Sequence, residues 1–333
     1  MYVGKHLRFK VVLLFSWKSV LVFTIYASLI FLALYVLLPR FDGLPFAIVS
    51  VTGIAVAFYV GFKNNSSYER LWEARKIWGS YVNSSRTFAM YVIDFLHESE
   101  HVNTAEIMHF RQRIVKRHIA YLSAVRFQLR KQTVWKMEEV GNRIVSSDTN
   151  FTLEKLDQEL SKYMEDEEVD YVIEQNNPAV HIIKKQSEDL QNLYMRGCLS
   201  EIHHVEITKM LADFYNQQGA CERIKGYPFP RQYAYYSKLF VYLLIAILPF
   251  SIYSELSKLN ERITWMTIPI AVTLSWIFYT MEVVGDSSEN PFENAINDVP
   301  ITAISRTIEI DLLQMLKETD IPEKIRSENN ILM

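Results

Sequence analysis

Hydrophobicity in this chain is segregated to its two ends. Apolar runs at Val20–Leu38, Leu44–Phe62, Leu239–Tyr253 and Ile263–Met281 flank a long polar stretch with no comparable run. A bilayer core about 30 Å thick takes roughly 20 apolar residues as a helix. The first two runs meet that length. The third reaches it only if Ala234–Tyr236 are counted, and it carries Pro249; the fourth contains Pro269 but no charge across its apolar part. The pattern predicts four membrane spans, two at each end.

The polar insert has a helical period. Glu69–Phe88 spaces Leu71, Trp72, Ile77, Trp78 and Tyr81 along one helix, and Ala105–Leu129, Leu153–Met164 and Ile183–Ile207 repeat the pattern. Asn176-Asn177-Pro178 reads as a helix stop, and Gly226–Pro230 separates the insert from the third span. No alternating strand pattern is present. Beyond the fourth span, Ile304, Ile308, Leu312 and Leu316 form one stripe on Ile301–Leu316, an amphipathic helix that needs a surface to cover; Ser327–Met333 reads as frayed. The expectation is an all-α membrane protein whose four spans run continuously into a helical cytosolic domain. Its divisions are 1–62 (N-terminal segment and spans one and two), 63–235 (cytosolic domain), 236–281 (spans three and four) and 282–333 (C-terminal segment with the amphipathic helix).

Composition adds little to the fold and more to the setting. Apolar residues are 50% and charged ones 22%, an average close to that of a soluble protein that hides the segregation. A net charge of −3 without a long basic block points away from nucleic acid. Cys198 and Cys221 both lie in the insert and are expected to remain thiols facing a reducing interior. Lys5, Arg8, Lys10 and Lys18 precede the first run, which lacks a cleavage site and is too long for a signal-peptide core. Lys63, Arg70, Arg75, Lys76 and Arg86 follow the second run, whereas the loop at Pro39–Gly43 offers only Arg40 against Asp42. By the positive-inside bias, the N-terminus, insert and C-terminus are expected in the cytoplasm, with Ser254–Arg262 outside.

The sharpest enzyme-like pattern is His97-Glu98-Ser99-Glu100-His101, a match to H-E-x-x-H, in which two His one helical turn apart share zinc and the Glu acts as base. Its polar context, running on to Asn103-Thr104, describes a solvated helix end rather than a cleft. A third ligand would have to come from Glu138 or Glu139, since Glu106 is too near. His203 and His204 are adjacent, so they point about 100° apart on a helix and cannot grip one metal from one face. No Gly-rich phosphate loop, nucleophile elbow or paired-Cys motif is present. Neither a catalytic residue, a metal nor a cofactor is assigned. A membrane-anchored zinc hydrolase using His97, Glu98 and His101 is one alternative reading, and a membrane-tethered signalling or scaffold protein is another.

Span two carries Ile54, Phe58 and Phe62 four residues apart, a narrow bulky stripe, with small residues Gly53, Ala55, Ala57 and Gly61 expected on the opposite side for close helix packing. Facing lipid, the stripe is inert. Facing an axis shared by several copies, it is a hydrophobic ring able to gate by dewetting. It ends at Lys63-Asn64-Asn65, where a pore would meet water.

Four segments in order resemble the bestrophin family, in its bacterial branch: FKNNSSYERLWEARKIWG at Phe62–Gly79, CERI at Cys221–Ile224, PFPRQY at Pro228–Tyr233, and ENPFENAINDVPI with RTIEIDLLQML near the end. Arg70-Leu71-Trp72 stands where Arg-Trp-Trp is usual, a change packing should tolerate. Pro291-Phe292-Glu293 stands for Pro-Phe-Gly, which alters a turn. The resemblance implies a homopentameric channel for monovalent ions, chloride or sodium and potassium, whose partners are membrane lipid and further copies of itself. It places the neck at Ile54, Phe58 and Phe62, and a cytosolic constriction at Ile202 and Val205, with Lys209 along the same face. Animal members bind calcium through an acidic run after Asn-Pro-Phe; here Ala295-Ile296 interrupts it, so no calcium gating is expected. The resemblance also implies that the Ile301–Leu316 stripe covers a neighbouring subunit. Charge selectivity stays open: Lys63 would favour anions, while Glu69, Glu73 and Glu206 would favour cations.

Overall fold

The computed structural model describes residues 1–4, 9–37, 44–131, 153–328 and 330–332. The Pro39–Gly43 loop, Glu138, Glu139, Lys5 and Arg8 lie outside them. The described residues form ten α-helices with short 3₁₀ and π turns, and only isolated bridges in place of strands. They are α1 (Phe9–Leu32), α2 (Phe46–Phe95), α3 (Thr104–Arg130), α4 (Leu153–Leu160), α5 (Asp166–Ile173), α6 (Pro178–Met195), α7 (Glu201–Gly226), α8 (Arg231–Leu259), α9 (Thr267–Ser288) and α10 (Ile301–Met315).

Four of these helices are long and apolar enough to cross a membrane: α1, the first part of α2, α8, and α9 with the 3₁₀ turn before it. Their boundaries exceed the apolar runs. The first helix begins at Phe9, so Lys10 and Lys18 lie within it, and α8 begins at Arg231, eliminating the shortfall of the third run. Pro249 sits buried inside α8. A proline there removes an amide donor and loosens nearby carbonyls; the Tyr26 hydroxyl of α1 donates to the Ala246 carbonyl at 2.7 Å. Pro269 lies in the first turn of α9, where no intrahelical donor is lost.

Two apolar cores result, and α2 runs through both. Val49, Val56 and Val60 of α2 pack with Phe23, Val241, Leu244, Leu248 and Ala271 among the spans. Further along, Trp78, Tyr81, Phe88 and Val92 pack with α3, α7 and α10. Arg117, fully buried on α3, pairs with Glu168 of α5 and Asp189 of α6.

Three expectations are corrected. Ile183–Ile207 is not one helix: α6 ends at Met195 and α7 starts at Glu201. Gly197 turns the chain at φ 73°, the Cys198 amide donates to Leu193 O and the Gly197 amide to Tyr194 O, which closes a Schellman motif. The α10 stripe covers its own subunit: Ile301, Ile304, Ile308 and Leu312 are buried in the core shared with α2 and α3. The described tail residues are paired rather than frayed, with Tyr2 bridging Ile331 and the Val3 amide donating to Asn330 O.

Candidate functional site: an exposed face on α2

Ile54, Phe58 and Phe62 are 70%, 74% and 51% exposed in the single chain, each about 6 Å further along the α2 axis. Val51, equally bare one turn outward, belongs to the same face, although its spacing of three from Ile54 falls off the four-residue stripe. Of the small residues only Gly53 turns inward, toward Leu244 of α8; the other three do not oppose the stripe. Val49, Val56, Val60 and Lys63 occupy the buried side, while Ala55, Ala57 and Gly61 are exposed beside the stripe. On a 100° wheel Gly61 lies within about 20° of Ile54, so the register itself places small and bulky residues side by side.

Beyond the apolar part the exposed face continues as Asn65, Glu69, Lys76 and Asn83. One helix face is therefore bulky and apolar at membrane depth and mixed outside it, where the exposed, stacked rings of Tyr68 and Trp72 lie among Asn65, Glu69 and Lys76. Lys63 is on the other side. It is 1% exposed and its ammonium donates to Glu282 and Asp286 of α9, while the Ser237 hydroxyl of α8 donates to Glu282 at 2.6 Å. Paired with two carboxylates and turned from the exposed face, Lys63 cannot supply a positive charge there, contrary to expectation. Glu69 is exposed and accepts from the Asn65 amide at 2.8 Å; Glu73 pairs with Arg223 at 2.8 Å and Glu206 with Lys209 at 2.7 Å.

Ile202 and Val205 are 75% and 45% exposed on the first turns of α7. Ser200 caps that helix by accepting from the His203 amide at 3.2 Å. The helix runs antiparallel to α2: its start meets the end of α2 through His203 stacked on Phe95, centroids 4.0 Å apart, and its end meets Arg70. Ile202 thus stands roughly 50 Å from Phe62, the length of α2 from Phe62 to Phe95 at 1.5 Å per residue.

Arg70 gathers the recurrent sequence segments. Its guanidinium donates to Glu289 O at 2.9 Å, Tyr227 O at 2.7 Å and Ile224 O at 2.9 Å. Burial, opposed by Arg231, raises the Glu289 carboxyl above its usual range. Leu71 in the second motif position packs against the larger core, as a tolerated change should. In the turn after α9, Phe292 and Asn294 adopt φ of 75° and 68° while Glu293 does not, so glutamate sits there without backbone strain. Asp298 is the centre of that turn: it accepts from the amides of Phe292, Asn294 and Val299 at 2.8, 2.7 and 2.6 Å and from Arg130 at 3.0 Å.

His97–His101 is not helical. The α2 helix stops at Phe95, Ser99 and Val102 exchange backbone hydrogen bonds in a tight turn, and Asn103 opens α3 with a capping box to Glu106. The one-turn separation of two His that a shared zinc needs is therefore missing. His203 and His204 diverge onto different rings, Phe95 and Tyr194. Among the described residues no group of three or more His, Cys, Asp and Glu is arranged to hold a metal.

These features define a class: an all-α, four-span membrane protein with a helical extramembrane domain and an unpartnered face on its second span. The chain belongs to the bacterial and fungal bestrophin family, which it matches over residues 9–314. It is 32% identical over 286 residues to the voltage-dependent anion channel-forming protein YneE of Escherichia coli K12, covering 86% of this chain and 81% of that one. The protein of the same name from Salmonella typhi is 29% identical over 321 residues, 94% and 93% of the two chains. The crystal structure of a bacterial bestrophin homologue from Klebsiella pneumoniae matches with a TM-score of 0.74 and 26% identity, over 90% of this chain and 98% of that one.

Proposed function

We propose that copies of this chain, five as the family resemblance implies, enclose an axial pore in the inner membrane and pass monovalent ions passively. Ile54, Phe58 and Phe62 form its neck, and Ile202 and Val205 a second constriction about 50 Å away in a cytosolic domain spanning roughly 63–235. The observation that carries this reading is the single α2 face that is apolar and bare at membrane depth and stays exposed beyond it, with Asn65, Glu69 and Lys76 alongside Tyr68 and Trp72. The bulky stripe and its polar continuation lie on one side of one helix, so copies arranged around an axis would present both to it. Exposed Ala57 and Gly61 beside the stripe let neighbouring copies approach closely.

The relatives named as anion channel formers favour anions. Glu69, the first charge on the exposed face below Phe62, favours cations and is the second reading. Calcium has no role in gating: the Asp298 carboxylate is committed to Arg130 and three amides. The cytoplasmic placement of both termini rests on the positive charges after span two.

Flux from liposomes tests the neck. Ile54→Ala and Phe58→Ala are expected to raise ion flux severalfold by widening and wetting the constriction, with no response to added calcium. Flux identical to the parent in both variants would return the stripe to a lipid-facing role.

A further inference from the structure

Where the apolar part of the α2 face ends, α2 and the start of α8 enclose an open cleft of about 380 Å³, within the range of about 300–1,000 Å³ that holds small molecules. Phe62, Phe229, Tyr233, Glu69, Glu73 and Arg70 are in its walls. Two features select the chemistry of an occupant.

The first is the arrangement of rings. Tyr233 lies 6.0 Å from Phe62 with the planes at 43°, and 6.2 Å from Phe229 with the planes at 60°. Tyr59 stacks with Tyr233 at 6.2 Å and 27°, and Phe229 is itself buried, so the corner presents ring surface chiefly from Phe62 and the remaining side of Tyr233. Ring faces carry the negative end of the quadrupole and attract a cation within about 6 Å of the centroid.

The second is charge. Arg70 directs its donors to the carbonyls of Glu289, Tyr227 and Ile224, which leaves it poorly placed to grip an anion although its positive charge stays in the wall between Glu69 and Glu73. Glu73 is answered by Arg223. Glu69 accepts only the neutral Asn65 amide, and among the described residues no cation stands within ion-pair distance of it. The cleft therefore offers aromatic faces and the Glu69 carboxylate, which is in no ion pair.

We propose that this cleft binds an organic ammonium group, with the cationic head against Phe62 and Tyr233 and its charge balanced by Glu69. Such a group arrives either as a soluble ammonium compound or as the ammonium headgroup of a membrane lipid, since the cleft lies where the apolar part of α2 gives way to its polar part. The inference shares Phe62 and Glu69 with the proposed permeation path but is read by binding rather than flux, so its failure is distinguishable from failure of the pore.

The test is calorimetric titration of choline into the full-length protein, freed of lipid in a maltoside detergent, beside 3,3-dimethylbutanol, the uncharged carbon analogue. Choline is expected to bind saturably, and the analogue at least about tenfold more weakly, the scale of a desolvated cation–π contact. Glu69→Gln and Tyr233→Leu are each expected to weaken choline by about tenfold while Tyr233→Phe keeps it. Glu69→Gln alters an exposed side chain, so its folding is not at issue. In bilayer discs, a severalfold weaker choline affinity in phosphatidylethanolamine than in phosphatidylglycerol supports lipid as the source, and equal affinity supports a soluble compound. No saturable choline binding, equal binding of the uncharged analogue, or unchanged affinity in both Glu69→Gln and Tyr233→Leu would overturn the proposal.

Discussion

Lys63 and Phe62 are neighbours in sequence with opposite fates: one meets a buried pair of carboxylates, the other the exposed face. Removing a buried cation leaves its partners charged in a poor solvent, which costs about 3–5 kcal/mol. Lys63→Met should therefore lower the melting temperature sharply, and adding Glu282→Gln with Asp286→Asn should restore much of the loss. A melting temperature unaffected by Lys63→Met would mean that the cluster is hydrated. His118 is a second buried titratable group, its Nε2 2.9 Å from the Ser85 hydroxyl. Burial lowers its pKa from 6.5 to about 3. The unfolded chain thus takes up a proton below pH 6.5 that the folded chain refuses until about pH 3. Stability from this group is complete above pH 6.5 and falls as pH drops from there toward 3. The melting temperature should decline less on acidification from pH 6.5 in His118→Gln than in the parent; parallel declines would assign the acid sensitivity to other groups.

At the scale of elements, the chain declares its helices better than their joints and partners. The periods of Glu69–Phe88 and Ala105–Leu129 lie inside α2 and α3. The α6–α7 joint is written locally as Gly197 and the capping Ser200, but an apolar period that continues across it masks both. Gly197 has φ 73°, so Gly197→Ala is expected to cost about 1–2 kcal/mol through the left-handed backbone alone. Thermal unfolding checks this, and an unshifted transition would mean that the joint has a second conformation open to alanine. The α10 stripe shows a different limit. Ile304, Ile308 and Leu312 announce an apolar face, but only tertiary packing reveals that α2 and α3 cover it. Lys63 hides its role for the same reason. A charge at the end of an apolar run reads as solvated until Glu282, more than 200 residues away, is brought beside it.

For the whole molecule, α2 is the shared wall between the core of the spans and the core of the insert, and Arg70 joins its middle to the ends of α7 and α9. A rigid wall of this kind holds an exposed face in register over its full length, which is what a long permeation path needs. With Lys63 neutralised by α9, the first charge an ion would meet below Phe62 is the Glu69 carboxylate, repeated once per copy. A ring of like charge at a pore mouth raises the local concentration of counter-ions and depletes co-ions. Replacing it should shift selectivity in one direction whatever the starting preference. In asymmetric NaCl, the reversal potential of Glu69→Gln should move toward the chloride equilibrium potential, and that of Glu69→Lys further the same way. The shift should shrink as salt rises toward 1 M, where the screening length falls to about 3 Å. A reversal potential that stays put in both variants at low salt would remove Glu69 from the permeation path and, with it, the alignment of the polar half of α2 on a common axis.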